Sequence, residues 1–208
     1  MPLKLYGSPI SPYVTAVRTT FAEKDINYEF VAIGAAELRS PEYVARHPFR
    51  KLPALDIDGQ ALFETSAIMR YADEAFVDNT ALQPRDPLAR ARAEQWMSAA
   101  NSYLYPDLFA GWVFQRAFAP KFGMPVDEPR LQSSIGRSRD HLEAINNAIA
   151  AGDLGAADAP TLGDIFVAAI TSTLQLVEDG AALLALHPDV EDWLNNLLAR
   201  PSFAACRT

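Results

Sequence analysis

The spacing of apolar and polar residues changes character near residue 77. Before that point short alternating runs give way repeatedly to runs with a helical period; after it only helical periods follow. Leu3-Lys4-Leu5-Tyr6 alternates and ends in Gly7-Ser8-Pro9, which predicts a short strand and a turn, with Tyr6 as a strand core residue. Ser11-Pro12 then supplies an N-cap and a first-turn proline for a helix whose apolar face carries Val14, Val17 and Phe21. Tyr28 to Ile33 suits a second strand, and Ser40-Pro41 opens a short helix through Tyr43 and Val44. Ala54 to Ile57 and Gln60 to Phe63 flank Asp58-Gly59, the favoured pair for a tight hairpin turn. A helix carrying Ile68, Tyr71, Ala72, Ala75 and Phe76 closes this part.

The predicted order of strand, helix, strand, helix, strand, strand, helix is the thioredoxin-like arrangement. Between Val77 and Pro87 the periodicity lapses into a polar, proline-bearing stretch of linker character. The expected division is therefore an α/β thioredoxin-like domain over 1–77, a linker over 78–87 and an all-α domain over 88–208. In the second domain Ala93, Met97, Ala100 and Leu104 form one stripe, and Leu131, Ile135, Leu142, Ile145 and Ile149 another; Pro106 should kink or interrupt the first helix. Thr161-Leu162-Gly163-Asp164 reads as a capping box with Asp at its last position, ahead of a nearly all-apolar helix from Ile165 to Val177. A final amphipathic helix carries Trp193, Leu194, Leu197 and Leu198, and Pro201-Ser202-Phe203 stops it.

With 50% hydrophobic and 21% charged residues, the 208-residue chain has the balance of a packed globular protein. Its net charge of -8 argues against partners recognised through phosphate or anionic lipid, so neither nucleic acid nor membrane is expected. The start of the chain lacks the basic-then-apolar pattern of a signal peptide, which makes the cytoplasm the expected location. Cys206 is the single cysteine, leaving no disulfide and no CxxC redox centre; His47, His141 and His187 are far apart, and no structural metal is expected.

Candidate chemistry sits at the first strand-to-helix turn. Where the glutaredoxin-like branch of the fold carries Cys-Pro-Tyr-Cys, this chain reads Ser11-Pro12-Tyr13-Val14. Together with Lys51-Leu52-Pro53 and Phe63-Glu64-Thr65-Ser66-Ala67-Ile68, it resembles the serine-type cytosolic glutathione transferases, phi-like and related bacterial members. The resemblance extends over nearly the whole chain, including the Thr161 to Asp164 cap and Arg200-Pro201-Ser202-Phe203.

Several roles follow from that resemblance. Ser11 would donate a hydrogen bond to the sulfur of glutathione and favour its thiolate, although an N-cap serine before proline is ordinary without it. Leu52, before a cis Pro53, would pair its backbone with the cysteinyl unit. Thr65 and the following helix N-terminus would hold the γ-glutamyl carboxylate, Glu64 would face the ammonium, and Arg39 and Lys51 would meet the glycine carboxylate. Leu38 stands where a histidine is common, and Arg50-Lys51 where Gly-Gln is common. Ile10, Pro12, Tyr105, Phe109, Trp112 and Phe118 are the expected apolar surface for an electrophile, each of the aromatics equally suited to core packing or a dimer contact. The implied activity is conjugation of glutathione, as co-substrate and without metal, to a small hydrophobic electrophile by a homodimer, with peroxidase or isomerase chemistry open to the same thiolate. The rival reading is a non-catalytic binding or stress-response protein that keeps the fold.

Overall fold

The computed structural model describes residues 2–77, 80–155 and 159–206. The chain forms two compact units, Met1–Leu82 with Arg200–Thr208, and Gln83–Ala199.

In the first unit β1 (Leu3–Gly7), α1 (Pro12–Glu23), β2 (Glu29–Ala32), α2 (Pro41–Arg46), β3 (Ala54–Ile57), β4 (Gln60–Phe63) and α3 (Thr65–Ala75) follow in turn. The sheet order is β2-β1-β3-β4, with β1 and β2 parallel and the other two pairs antiparallel. Alternation along β1 buries Leu3, Leu5 and Gly7 on one face. Against that face α1 packs Val14, Val17 and Phe21, all fully buried, and α3 packs Ile68, Met69 and Ala72. A Cβ on Gly7 would come within 2.7 Å of the Val14 side chain, so glycine lets α1 start close to the strand end. Asp58 and Gly59 both have positive φ, as the two-residue hairpin turn requires. Tyr6 departs from expectation: it lies on the opposite, half-exposed face, edge-on to Tyr43 and under the Arg46 guanidinium.

Two ionic contacts, one buried and one half-buried, fix the far end of α1. Lys24 Nζ donates to Asp73 Oδ1 at 2.9 Å and to the Thr80 carbonyl at 2.8 Å, and the same Asp73 oxygen accepts the Leu82 N–H. Glu23 accepts both Arg200 Nε at 2.6 Å and a second guanidinium N–H at 2.8 Å, with the Ser202 hydroxyl beside them. These bonds explain why the compact first unit runs to Leu82 and takes back the end of the chain, which the sequence placed with the helical domain; of the expected linker, residues 78 and 79 lie outside the described residues. Pro201 opens a further short turn of helix, α9 (Pro201–Ala204 in sequence, after the helices below), instead of only ending one.

The second unit is helical. α4 (Pro87–Ala99) continues without a break into a π-helical stretch, Ala100–Phe118, followed by α5 (Glu128–Ala151), α6 (Leu162–Thr171), α7 (Glu178–Leu184) and α8 (Pro188–Leu198). Pro106 does not interrupt the helix as expected; a wider turn accommodates the missing N–H. The Thr161 capping box forms, and every residue of α6 is buried, although α6 ends at Thr171 in a 3₁₀ turn, earlier than the apolar run suggests. At Gly111 a Cβ would meet Ser134 Oγ at 2.0 Å, so the π-helical stretch and α5 touch backbone to side chain.

Asp107, in that stretch, is 7% exposed and accepts from Arg137 at 2.6 and 2.8 Å, from Ser134 at 3.2 Å and pairs with His141 Nε2 at 2.8 Å. Burial raises its pKa, but the hydrogen bonds from Arg137 and His141 outweigh that and hold it below the ordinary value of 3.8. We expect Asp107→Ala to cost about 1.5 kcal/mol in urea unfolding at neutral pH, because it removes the acceptor of charged hydrogen bonds while the Arg137 guanidinium it leaves stays in water. A depressed folded pKa means the contribution is present above the unfolded value and lost as pH falls through the folded one. The gap between wild type and variant should therefore close under strongly acidic conditions.

Candidate functional site

Strand register decides which turns meet. Tyr6 of β1, Ala54 of β3 and Phe63 of β4 lie side by side, with β1 and β4 running one way and β3 the other. The chain therefore leaves β1 towards Ser11, enters β3 from Leu52-Pro53 and leaves β4 into Glu64-Thr65 at one end of the sheet. The three short motifs singled out in the sequence converge there.

Ser11 is the N-cap of α1: its Oγ accepts the Val14 N–H at 3.4 Å, a long bond, and its carbonyl accepts Thr15 Oγ1 at 3.2 Å and Thr15 N–H at 2.9 Å. A hydroxyl that accepts through a lone pair still has its proton to donate. Capping and donation are thus compatible, and the N-terminus of a 12-residue helix adds positive potential at the same point. Ser11 is half-buried, Pro12 beside it is buried at the first helical position, and Ile10 is 42% exposed.

The Leu52–Pro53 peptide is cis. No backbone bond to Leu52 occurs among the described residues, so its N–H and C=O have no backbone partner where the chain enters β3. The preceding carbonyl, of Lys51, accepts the Tyr43 hydroxyl at 2.6 Å. Tyr43 is 2% exposed; burial pushes its phenol far above the ordinary value, with Arg46 opposing, so it acts only as a donor. His47 stacks on Tyr43 and packs 4.9 Å from the Phe63 ring. Burial lowers the His47 pKa, with the Glu64 carboxylate opposing and Lys51 adding to the shift, so the ring is neutral at pH 7. Neither Tyr43 nor His47 was singled out from sequence as a support. A tyrosine eight residues before a carbonyl acceptor leaves no local signal.

Glu64 has φ of 74°, an unusual conformation for a long side chain, and it turns the chain sharply into α3. Its own side chain makes no cap, which leaves the first N–H groups of this 11-residue helix available to an anion. Thr65 is buried, whereas Ser66 is half-exposed at the same terminus. Lys51 is exposed, and Arg39 is exposed at the end of a short 3₁₀ turn, Glu37–Arg39.

Of the four aromatic residues expected to meet an electrophile, Trp112 and Phe109 are 1% and 5% exposed and belong to the core of the helical unit. The π-helical turn directs them inward. Tyr105 and Phe118 are half-exposed, and both rings pack tilted against Phe109, with centroids 5.5 and 6.0 Å away. Among the described residues no group of three or more His, Cys, Asp or Glu side chains is placed to hold a metal ion.

A thioredoxin-like domain with a serine in place of the redox cysteine, joined to an all-helical domain, defines a class of thiol-binding protein. Residues 5–80 match the family described as glutathione S-transferase, N-terminal domain. Over 210 residues the chain is 30% identical to glutathione S-transferase 4 of Zea mays, covering 96% of this chain and 89% of that one. Among solved structures, glutathione transferase F2 from Populus trichocarpa superposes with a TM-score of 0.88 at 28% identity, covering 99% and 97% of the two chains. Glutathione S-transferase I from mais, in complex with an atrazine glutathione conjugate, gives 0.84 at 26% identity, covering 100% and 97%. The chain belongs to the glutathione S-transferase family.

The Tyr43 bond fixes the carbonyl one residue before the open Leu52 backbone. We expect Tyr43→Phe to raise KM for glutathione about fivefold, the equivalent of about 1 kcal/mol for one lost hydrogen bond, with kcat changed less than twofold. Initial-rate kinetics with glutathione varied would measure it.

Proposed function

We propose that this enzyme conjugates glutathione to small hydrophobic electrophiles, with Ser11 holding the tripeptide's sulfur as a thiolate. The observation that carries the reading is the state of Ser11: a half-buried N-cap hydroxyl whose lone pair is engaged by Val14 N–H and whose proton has no acceptor among the described residues, at the end of the sheet shared with Leu52 and Thr65. The mais enzyme with a conjugate bound supports it, since that neighbour holds the product of such a reaction.

A thiol with pKa about 8.5 is only a few per cent ionised at neutral pH, and each unit of lowering corresponds to about 1.4 kcal/mol of preference for the anion. One donated hydrogen bond and a helix N-terminus together supply roughly one to two such units. The remaining residues bind and orient. Leu52 pairs its backbone with the cysteinyl unit, Thr65 and the α3 N-terminus take the γ-glutamyl carboxylate, Glu64 faces the ammonium, and Lys51 and Arg39 take the glycine carboxylate. Ile10 offers apolar surface next to the reactive turn. In the helical unit the expected electrophile contacts narrow to Tyr105 and Phe118, the two residues that are not buried.

Detoxification in the cytoplasm by a homodimer completes the proposal. Exposed Phe49, 67% accessible beside the His47 and Phe63 rings, supports a partner surface on the first unit. We expect Phe49→Ser to shift sedimentation from dimer towards monomer; a wild type that sediments as a monomer at micromolar concentration would remove this part of the proposal.

For the chemical step, Ser11→Ala should lower kcat about ten- to a hundredfold while the Kd for glutathione changes less than threefold, since the hydroxyl acts on the charged sulfur. The thiolate absorbance of bound glutathione should titrate one to two pH units higher in the variant. The lost cap costs about 1 kcal/mol of stability, so a thermal melt should accompany the assay. Undiminished turnover would move the role to another group.

A further inference from the structure

Nine residues separate Phe109 from Phe118 in the π-helical stretch, yet their ring centroids lie 6.0 Å apart. Nine residues make about 2.5 turns of an α-helix, which would put the two rings on opposite sides. With i→i+5 bonds they make about two turns, which brings the rings into line. Tyr105, Phe109, Phe114 and Phe118 follow at steps of four, five and four residues, each ring within 6.3 Å of the next. The wide turn therefore gathers Tyr105 and Phe118 onto one side of the helix. In α-helical turns they would be about 3.6 turns apart and would point away from each other.

π-helices are rare and mostly a single turn long, so a run over Ala100–Phe118 needs something outside itself to hold it. The stretch buries two polar side chains, Asp107 and Gln115, and both reach α5. Gln115 Oε1 accepts the Asp127 N–H at 3.0 Å, at the N-cap of α5. Asp107 is tied more firmly. Its Oδ1 accepts from Ser134 Oγ and from a terminal Arg137 nitrogen, and its Oδ2 accepts from Arg137 Nε and pairs with His141 Nε2. One carboxylate thus bonds three residues spread over two turns of α5, and Gly111, one turn further along the stretch, gives the Ser134 side chain room to approach. Ion pairs taken out of water add little net stability, and their best-attested use is to single out one register over its neighbours.

We propose that Asp107 is a positioning residue for the electrophile: by binding Ser134, Arg137 and His141 it holds the stretch in its π-helical register, and that register aligns Tyr105 and Phe118 into one aromatic surface. The inference rests on the conjugation reading above and extends it to a residue that touches no substrate. An electrophile wide enough to lie across both rings depends on the register; a short aliphatic one does not.

Steady-state kinetics on the full-length protein test this with wild type, Asp107→Asn and Arg137→Met, each with two electrophiles, an aryl halide and a short alkyl iodide. Asparagine keeps the shape of Asp107 and loses its charge. Arg137→Met breaks the same cluster from a side chain that is 52% exposed, so the test survives should Asp107→Asn fail to fold. Both variants should raise KM for the aryl halide about five- to tenfold, while KM for glutathione and the rate with the alkyl iodide change less than twofold. Near-UV circular dichroism, which reads the packing of the rings, should change in both variants while the far-UV helical signal stays the same. Equal losses with the two electrophiles, or an unchanged KM for the aryl halide, would overturn the role of Asp107 and leave conjugation standing. A wild type that turns over neither electrophile would bring down the conjugation reading and this inference with it.

Discussion

A hydroxyl has one proton and two lone pairs, and the reactive turn depends on how Ser11 divides them. The cap on α1 uses a lone pair, through Val14 N–H, and in our proposal the proton is left for the sulfur of the bound thiol. For this to matter the start of α1 must not move. Gly7 admits Val14 close to the strand end, and the opposite end of the helix is held by two ionic contacts, Glu23 with Arg200 and Lys24 with Asp73. A helix fixed at its C-terminal end and packed along one face presents its N-terminus from a rigid support. Buried ion pairs add little net stability once desolvation is counted, but they specify one arrangement over near alternatives.

Features whose cause is local were legible in the sequence. The Asp58-Gly59 hairpin, the Ser11 and Ser40 caps with their first-turn prolines, and the Thr161 box all formed because each is decided within a few residues. The cis bond before Pro53 was expected only through family resemblance, since a lone X-Pro favours trans. Other features depend on partners far along the chain. The return of the last residues to the first unit follows from Glu23 meeting Arg200, 177 positions away. Pro106 reads locally as a break, yet the π-helical stretch absorbs it, and that wider turn changes which aromatic residues face inward. Trp112 and Phe109 were candidates for a ligand surface because a period of 3.6 could not show that they point to the core. Of the site itself, the residues that touch ligand in our reading sit in motifs, whereas their supports, Tyr43 and His47, do not.

The electrostatics of the first unit reconcile an acidic chain with an anionic ligand. A net charge of -8 would repel a tripeptide with two carboxylates if charge acted only at long range. At 0.15 M salt the Debye length is about 8 Å, so the ligand responds mainly to groups at that end of the sheet. There two helix N-termini, of α1 and α3, open after parallel strands and therefore face the same way, each contributing roughly half a positive charge through unpaired N–H groups. Fixed dipoles of this kind need no counter-ion and do not titrate. They suit a site that must stabilise a thiolate across the range in which the thiol itself loses its proton. Neutral His47 beneath Phe63 fits the same logic: a protonated imidazole there would add positive potential only at low pH, when the sulfur is protonated and has least use for it. Burial holds that ring uncharged at neutral pH, so near the pH at which the thiol ionises it adds no charge of its own to those of the two helix ends.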